Sequence, residues 1–125
     1  MELNDISGKI IELAINVHRE LGPGMLEGAY EACLQFELAR SGLKSETQLK
    51  LPIIYQGLKL DAGYRIDMLV EDSVIVELKS IERVMPIHEA QLLSYLRMSN
   101  LKLGLLLNFN QKLLRDGIRR VVNGF

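Results

Sequence analysis

At 125 residues the chain is long enough for one compact domain with one sizeable core, and too short to divide into two. Its 48% hydrophobic and 25% charged content is that of an ordinary globular protein, not of a disordered chain or a coiled coil. A net charge of −1 selects no partner, the single cysteine, Cys33, excludes an intrachain disulfide, and no apolar run approaches the length of a membrane span.

The first helix is expected from about Asn4 to Leu21. Ile6, Ile10, Leu13, Ala14, Val17 and Leu21 recur three or four apart and make one apolar stripe. Leu21-Gly22-Pro23-Gly24 ends it, since proline cannot continue a helix and glycine frees the backbone. A second helix is expected from about Leu26 to Ser41, burying Leu26, Ala29, Tyr30, Cys33, Leu34 and Leu38, with Gly42 as its stop. Cys33 reads as a small buried hydrophobe. His18, near the end of the first helix, reads as structural.

The period then changes from about four to two. Leu49, Leu51, Ile53 and Tyr55 alternate as in a strand, and Pro52 suits an edge. Gln56-Gly57 reads as a turn. A second strand is expected over Leu58–Val70, bent at Gly63, and a third over Val74–Ser80. Pro86 opens a helix that runs to about Ser99. Leu103–Phe109 is a continuous apolar run, as in a strand buried on both faces, and Ile118–Val122 is a candidate last strand. The order is ααβββαβ(β): an α/β class in which helices pack on a mixed sheet.

Alternation along strands brings chemistry-bearing residues together. Ile75, Glu77 and Lys79 share one face of the third strand, and Arg65, Asp67 and Leu69 share a face of the second. A three-residue loop at Glu71-Asp72-Ser73 pairs Val70 with Val74, and that register carries Asp67 opposite Glu77. Two carboxylates and a backbone carbonyl, that of Leu78, are hard ligands suited to Mg²⁺ or Mn²⁺. Such an ion polarises a phosphate and acidifies a bound water, and Lys79 would hold that water or offset phosphorane charge. Standing alone, Glu-x-Lys reads more simply as a solvated charge pair on an exposed strand; Asp67 at compatible parity strengthens the catalytic reading.

Charge is unevenly spread. Residues 1–96 carry 9 basic and 15 acidic side chains, and residues 97–125 carry 6 basic and 1 acidic. An acidic body and a basic tail admit a cation site in one place and phosphate contacts in another; a solvated charged surface is the plainer account. The acidic start, Met1-Glu2-Leu3-Asn4-Asp5, has no signal-peptide pattern, so a cytoplasmic location is the default expectation.

These residues resemble the PD-(D/E)XK nuclease superfamily, whose pattern is an acid on one strand and (D/E)-x-K on the next. Here it reads Arg65-Ile66-Asp67 and Glu77-Leu78-Lys79, with Ile66 where the pattern's name has proline. The chain is also similar to the GxxExxY branch of that superfamily through Gly24-Met25-Leu26-Glu27-Gly28-Ala29-Tyr30. Supporting stretches are Val17–Pro23, Gly63–Asp67, Ala90–Leu96 and Gly104–Phe109. The resemblance implies a restriction-endonuclease-like fold and further site residues. Glu27 would help Asp67 and Glu77 hold the metal, directly or through water. Gln91, one helical turn before Tyr95, would bond a substrate phosphate or Lys79. Tyr95 is a candidate substrate contact and equally a core aromatic. Tyr30 would either orient Glu27 or simply be buried.

The function implied is a Mg²⁺- or Mn²⁺-dependent nuclease hydrolysing DNA. The alternative is a non-cleaving nucleic-acid-binding or accessory protein-interaction domain on the same fold. Lys112, Arg115, Arg119 and Arg120 are the basic residues available to phosphates, with Arg115 and Arg119 the candidates for substrate contact. Homodimerisation would lengthen the surface for a duplex, and the sequence permits it.

Overall fold

The apolar stripe of the first segment becomes α1, Leu3–Leu21, which buries Ile6, Ile10, Leu13, Ala14 and Val17 in a computed structural model describing residues 1–125. The second helix, α2, spans Glu27–Arg40 and buries Tyr30, Leu34 and Leu38. Its predicted stripe is too long at the start. Leu26 lies outside the helix and is 84% exposed, and Cys33 is only half-buried.

Next come β1 (Ser45–Lys50), β2 (Ile53–Tyr55), β3 (Leu58–Leu60), β4 (Arg65–Val70) and β5 (Val74–Lys79). They are followed by α3 (Pro86–Ser99), β6 (Leu103–Asn108), a short 3₁₀ turn and β7 (Ile118–Val122). Two predicted strands are therefore each cut in two. Pro52 has no N–H to give a ladder, and the pairing of β1 ends before it. Gly63, at φ 80°, turns the chain back before β4. Between these breaks β2 and β3 form their own two-stranded sheet, with Tyr55 opposite Leu58. Gln56 and Gly57 have φ of 50° and 82°, the doubly positive geometry that a tight two-residue hairpin requires.

The main sheet has the order β1-β4-β5-β6-β7. Only β5 and β6 run parallel, because α3 carries the chain across between them. The architecture is mixed α/β, with three helices on a five-stranded sheet, consistent with a restriction-endonuclease-like fold.

Alternation sorts the core onto two faces. Met68, Val70, Val74, Val76, Leu78, Leu103, Leu105 and Leu107 pack with α1 and α2. Ile75 and Leu106 point to the other side and pack with Leu92, Tyr95 and Leu96 of α3. Every residue of β6 is buried, as its unbroken apolar run predicts. Gly104 has no room for a side chain, since a Cβ there would meet Leu92 at 2.9 Å. Parity fails at one point. Ile66 joins the α3-side cluster although Met68 and Val70 join the other. The β1/β4 ladder skips the Gln48/Asp67 pair beside it, where Gln48 takes φ 54°. The chain is thus distorted next to Asp67.

Candidate active site

The β4/β5 ladder pairs Val70 with Val74, Leu69 with Ile75 and Met68 with Val76, the register that the three-residue loop predicts. Continued by one residue, it sets Asp67 opposite Glu77. There the backbone ladder stops and carboxylates replace carbonyls. The Asp67 N–H donates to Glu77 Oε2 at 2.9 Å, and the Leu78 N–H donates to Asp67 Oδ2 at 3.0 Å. Each acid thus holds the other's strand in place. One oxygen of each is used, and the other makes no hydrogen bond to the protein.

Glu77 is only 4% exposed. Burial pushes its carboxyl up to about 8, and the charge on Asp67 adds to the rise; the bond from the Asp67 backbone and the charge of Lys79 act the other way. Two like charges this close and this dry favour a bound cation. The fit is chemical as well. Two free carboxylate oxygens on opposed strands are hard donors of the kind Mg²⁺ or Mn²⁺ takes. Lys79 ends β5 on the same face, half-buried. The four ion pairs of the molecule lie elsewhere, so the Lys79 ammonium is free to face a substrate.

A family model described as the PD-(D/E)XK nuclease superfamily matches residues 4–121. The chain belongs to that superfamily. Comparison with curated proteins and with solved structures gave no match.

The superfamily's helical acid is expected at Glu27, and here the structure is less accommodating. Glu27 opens α2 but is exposed. No group of three or more His, Cys, Asp or Glu side chains comes close enough to hold a metal, so Glu27 does not close a three-carboxylate cluster with Asp67 and Glu77. One turn later stands Glu31, which sequence reasoning missed. Burial raises its carboxyl, with the Asp67 and Glu27 charges adding, while Gln48 Nε2 donates to it at 2.9 Å. The i, i+4 spacing of Glu27 and Glu31 was the available signal.

The Gly24-to-Tyr30 motif works as a clasp. Gly24 turns at φ 90°. The Tyr30 hydroxyl donates to Gly22 O at 2.6 Å and accepts from the Met25 N–H at 3.1 Å. Its ring stacks on Phe109 at 4.3 Å. Ser80, the residue after Lys79, donates its hydroxyl to Met25 O at 2.9 Å. The clasp thus fixes the start of α2 against the end of β5. His18 is structural, as expected: its Nε2 donates to Phe109 O and Gln111 O at 3.1 and 2.8 Å.

On the α3 side, Tyr95 is 5% exposed and belongs to the core cluster. Burial raises its hydroxyl, and the charges of Glu77, Tyr64 and Asp67 add to the rise. Gln91 is exposed and lines a cavity with Tyr95 and Tyr64; it makes no hydrogen bond to Lys79.

No ion pair joins the basic residues of the C-terminal segment to Asp67 or Glu77. Arg115 lines a cavity of about 350 Å³ with Lys112, Arg19 and His18. Arg119 donates to the carbonyls of Asp116 and Ile118, and Arg120 to Asn4 Oδ1. A second residue missed from sequence is Asn108, fully buried and paired with Lys79 across β5 and β6. Its Oδ1 accepts from the N–H groups of Ile81 and Asn110, and its Nδ2 donates to Ile81 O. It therefore anchors the loop that follows Lys79.

Proposed function

We propose that the protein is a divalent-metal-dependent nuclease of the GxxExxY branch, hydrolysing phosphodiester bonds in DNA. The single observation that supports this most is the interlocked pair Asp67 and Glu77, each with a free oxygen, followed on the same face by an unpaired Lys79. Asp67 and Glu77 would hold Mg²⁺ or Mn²⁺ with the Leu78 carbonyl, and Glu27 would act on it through water. Bound there, the metal supplies a Lewis acid and a water of lowered pKa. Lys79 positions the attacking water and offsets charge gathering on the phosphate oxygens. Burial of Glu77 keeps bulk water from competing for that oxygen. The Gly22–Tyr30 clasp keeps Glu27 at the mouth of the site. Arg19, Lys112 and Arg115 supply a cationic cavity to phosphates further along the strand.

The second reading, a nucleic-acid-binding module that does not cut, is favoured by the exposure of Glu27 and the lack of a third clustered acid. Thermal melting with added Mg²⁺ or Mn²⁺, beside cleavage of linear, nicked and branched DNA, separates the two. The nuclease reading expects a metal-dependent rise in the melting midpoint that Asp67→Ala removes, together with cleavage. Binding without metal response or cleavage supports the second reading instead.

A further inference from the structure

Large apolar side chains are exposed on the β2–β3 hairpin. Ile54, Tyr55 and Leu58 of the β2–β3 hairpin are 61%, 65% and 57% exposed. Between this hairpin and α3 lies a cavity of about 460 Å³, lined in part by Ile53, Tyr64, Gln91, Ser94, Tyr95 and Met98. Its composition is mixed. Ile53 and Met98 make apolar walls, and Gln91 and Ser94 offer an amide and a hydroxyl. Tyr64 is 41% exposed, and its ring meets Tyr95 edge-on, with centroids 6.2 Å apart and planes at 65°. An edge-on contact leaves a face of Tyr64 without an aromatic partner.

Two links run from the cavity to the acids. Tyr64 stands three residues before Asp67 on the same run of chain. Tyr95 shares its apolar cluster with Ile66, the neighbour of Asp67, and with Ile75, two residues before Glu77. A nucleotide with its phosphate at Asp67 and Glu77 and its base in this cavity would follow those links.

We propose that the cavity between the β2–β3 hairpin and α3 receives an unpaired nucleobase, stacked on Tyr64 and held at its edge by Gln91 and Ser94. The inference rests on the nuclease reading and narrows it to strands with an unpaired base at the cut. A flat ring with polar edges matches a slot with an aromatic face, aliphatic walls and two edge groups. A base within a duplex is already stacked on both faces and cannot enter. A free edge of such a base pairs with an amide as well as with water, and stacking on tyrosine is largely indifferent to which base it is.

The test uses the full chain with Ca²⁺ in place of Mg²⁺, and a fluorescein-labelled 30-mer as single strand, blunt duplex and duplex with an unpaired loop. Anisotropy is expected to show tighter binding to the single strand and looped forms than to the blunt duplex. Tyr64→Ala should weaken binding of the unpaired forms by about 5- to 100-fold and shrink that preference, while Tyr64→Phe retains it. A 2-aminopurine in the loop should lose its change in emission with Tyr64→Ala. An undiminished preference in Tyr64→Ala overturns the slot. So does sedimentation showing a dimer that Tyr64→Ala separates, since the cavity is then covered by a second copy. Binding to duplex alone, lost in Lys112→Ala/Arg115→Ala, overturns the slot and leaves the nuclease reading standing. No binding to any form overturns both.

Discussion

Replacing Glu77 by glutamine removes a charge while keeping the shape and the acceptor for the Asp67 N–H. Glu77 binds its proton more tightly in the folded chain, at about 8, than in the unfolded chain, near 4.5. Between those values the folded state holds more protons, so stability falls as pH rises; the penalty is absent below about 4.5 and complete above about 8. At 1.36 kcal/mol per pH unit the ceiling is roughly 5 kcal/mol. A neutral amide accepts the Asp67 N–H less strongly than a carboxylate does, so the share that Glu77→Gln relieves is smaller, about 2 kcal/mol. For a chain of this length that is a rise of roughly 6–10 °C in Tm. The assay is thermal melting in EDTA from pH 5 to 9. Glu77→Gln is expected to melt above the parent at pH 8.5 and level with it at pH 5. With Mn²⁺ added, the parent gains and the variant does not. A variant less stable than the parent by the same margin at every pH would refute the reasoning, because Glu77 would then be a required acceptor and not a strained charge.

Gly104→Ala would press a Cβ onto the buried Leu92 side chain at 2.9 Å, and a loss of about 1–3 kcal/mol in urea denaturation is expected. Asn108→Ala leaves the N–H groups of Ile81 and Asn110 without acceptors, and should cost about 2–4 kcal/mol and speed proteolysis in the loop after β5. Tyr30→Phe opens the clasp between Gly22 and Met25; about 1–2 kcal/mol of stability should go, and hydrogen exchange at Met25 should rise. Lys112→Ala/Arg115→Ala should flatten the slope of log K against log salt for DNA by about 2, and an unchanged slope removes that cavity from the phosphate path.

Sequence and tertiary structure contributed at different ranges. The stripe of α1 follows from apolar residues three and four apart, because a helix repeats every 3.6 residues whatever surrounds it. The register of Asp67 to Glu77 follows from loop length and strand parity, which are also local rules. The pattern Asp67 and Glu77-x-Lys79 was legible for that reason. The breaks at Pro52 and Gly63 were visible as residues, but not as ends of strands, because whether a hairpin leaves a sheet depends on what it can pair with.

Other features depend on neighbours distant in the chain. Asn108 is one turn-forming residue among several until Ile81 is folded against it, 27 positions away. The Tyr30 hydroxyl has a purpose only once the Gly22–Met25 turn closes over it. Glu31 gains its place from Gln48, whose backbone is twisted opposite Asp67. The sequence by itself determined which two acids and which lysine share a strand face. Only the tertiary structure decided that the acids interlock where the ladder ends, that Glu77 is buried, and that Glu27 is not. Burial and electric field are sums over neighbours from the whole chain, and spacing along one segment carries no record of them.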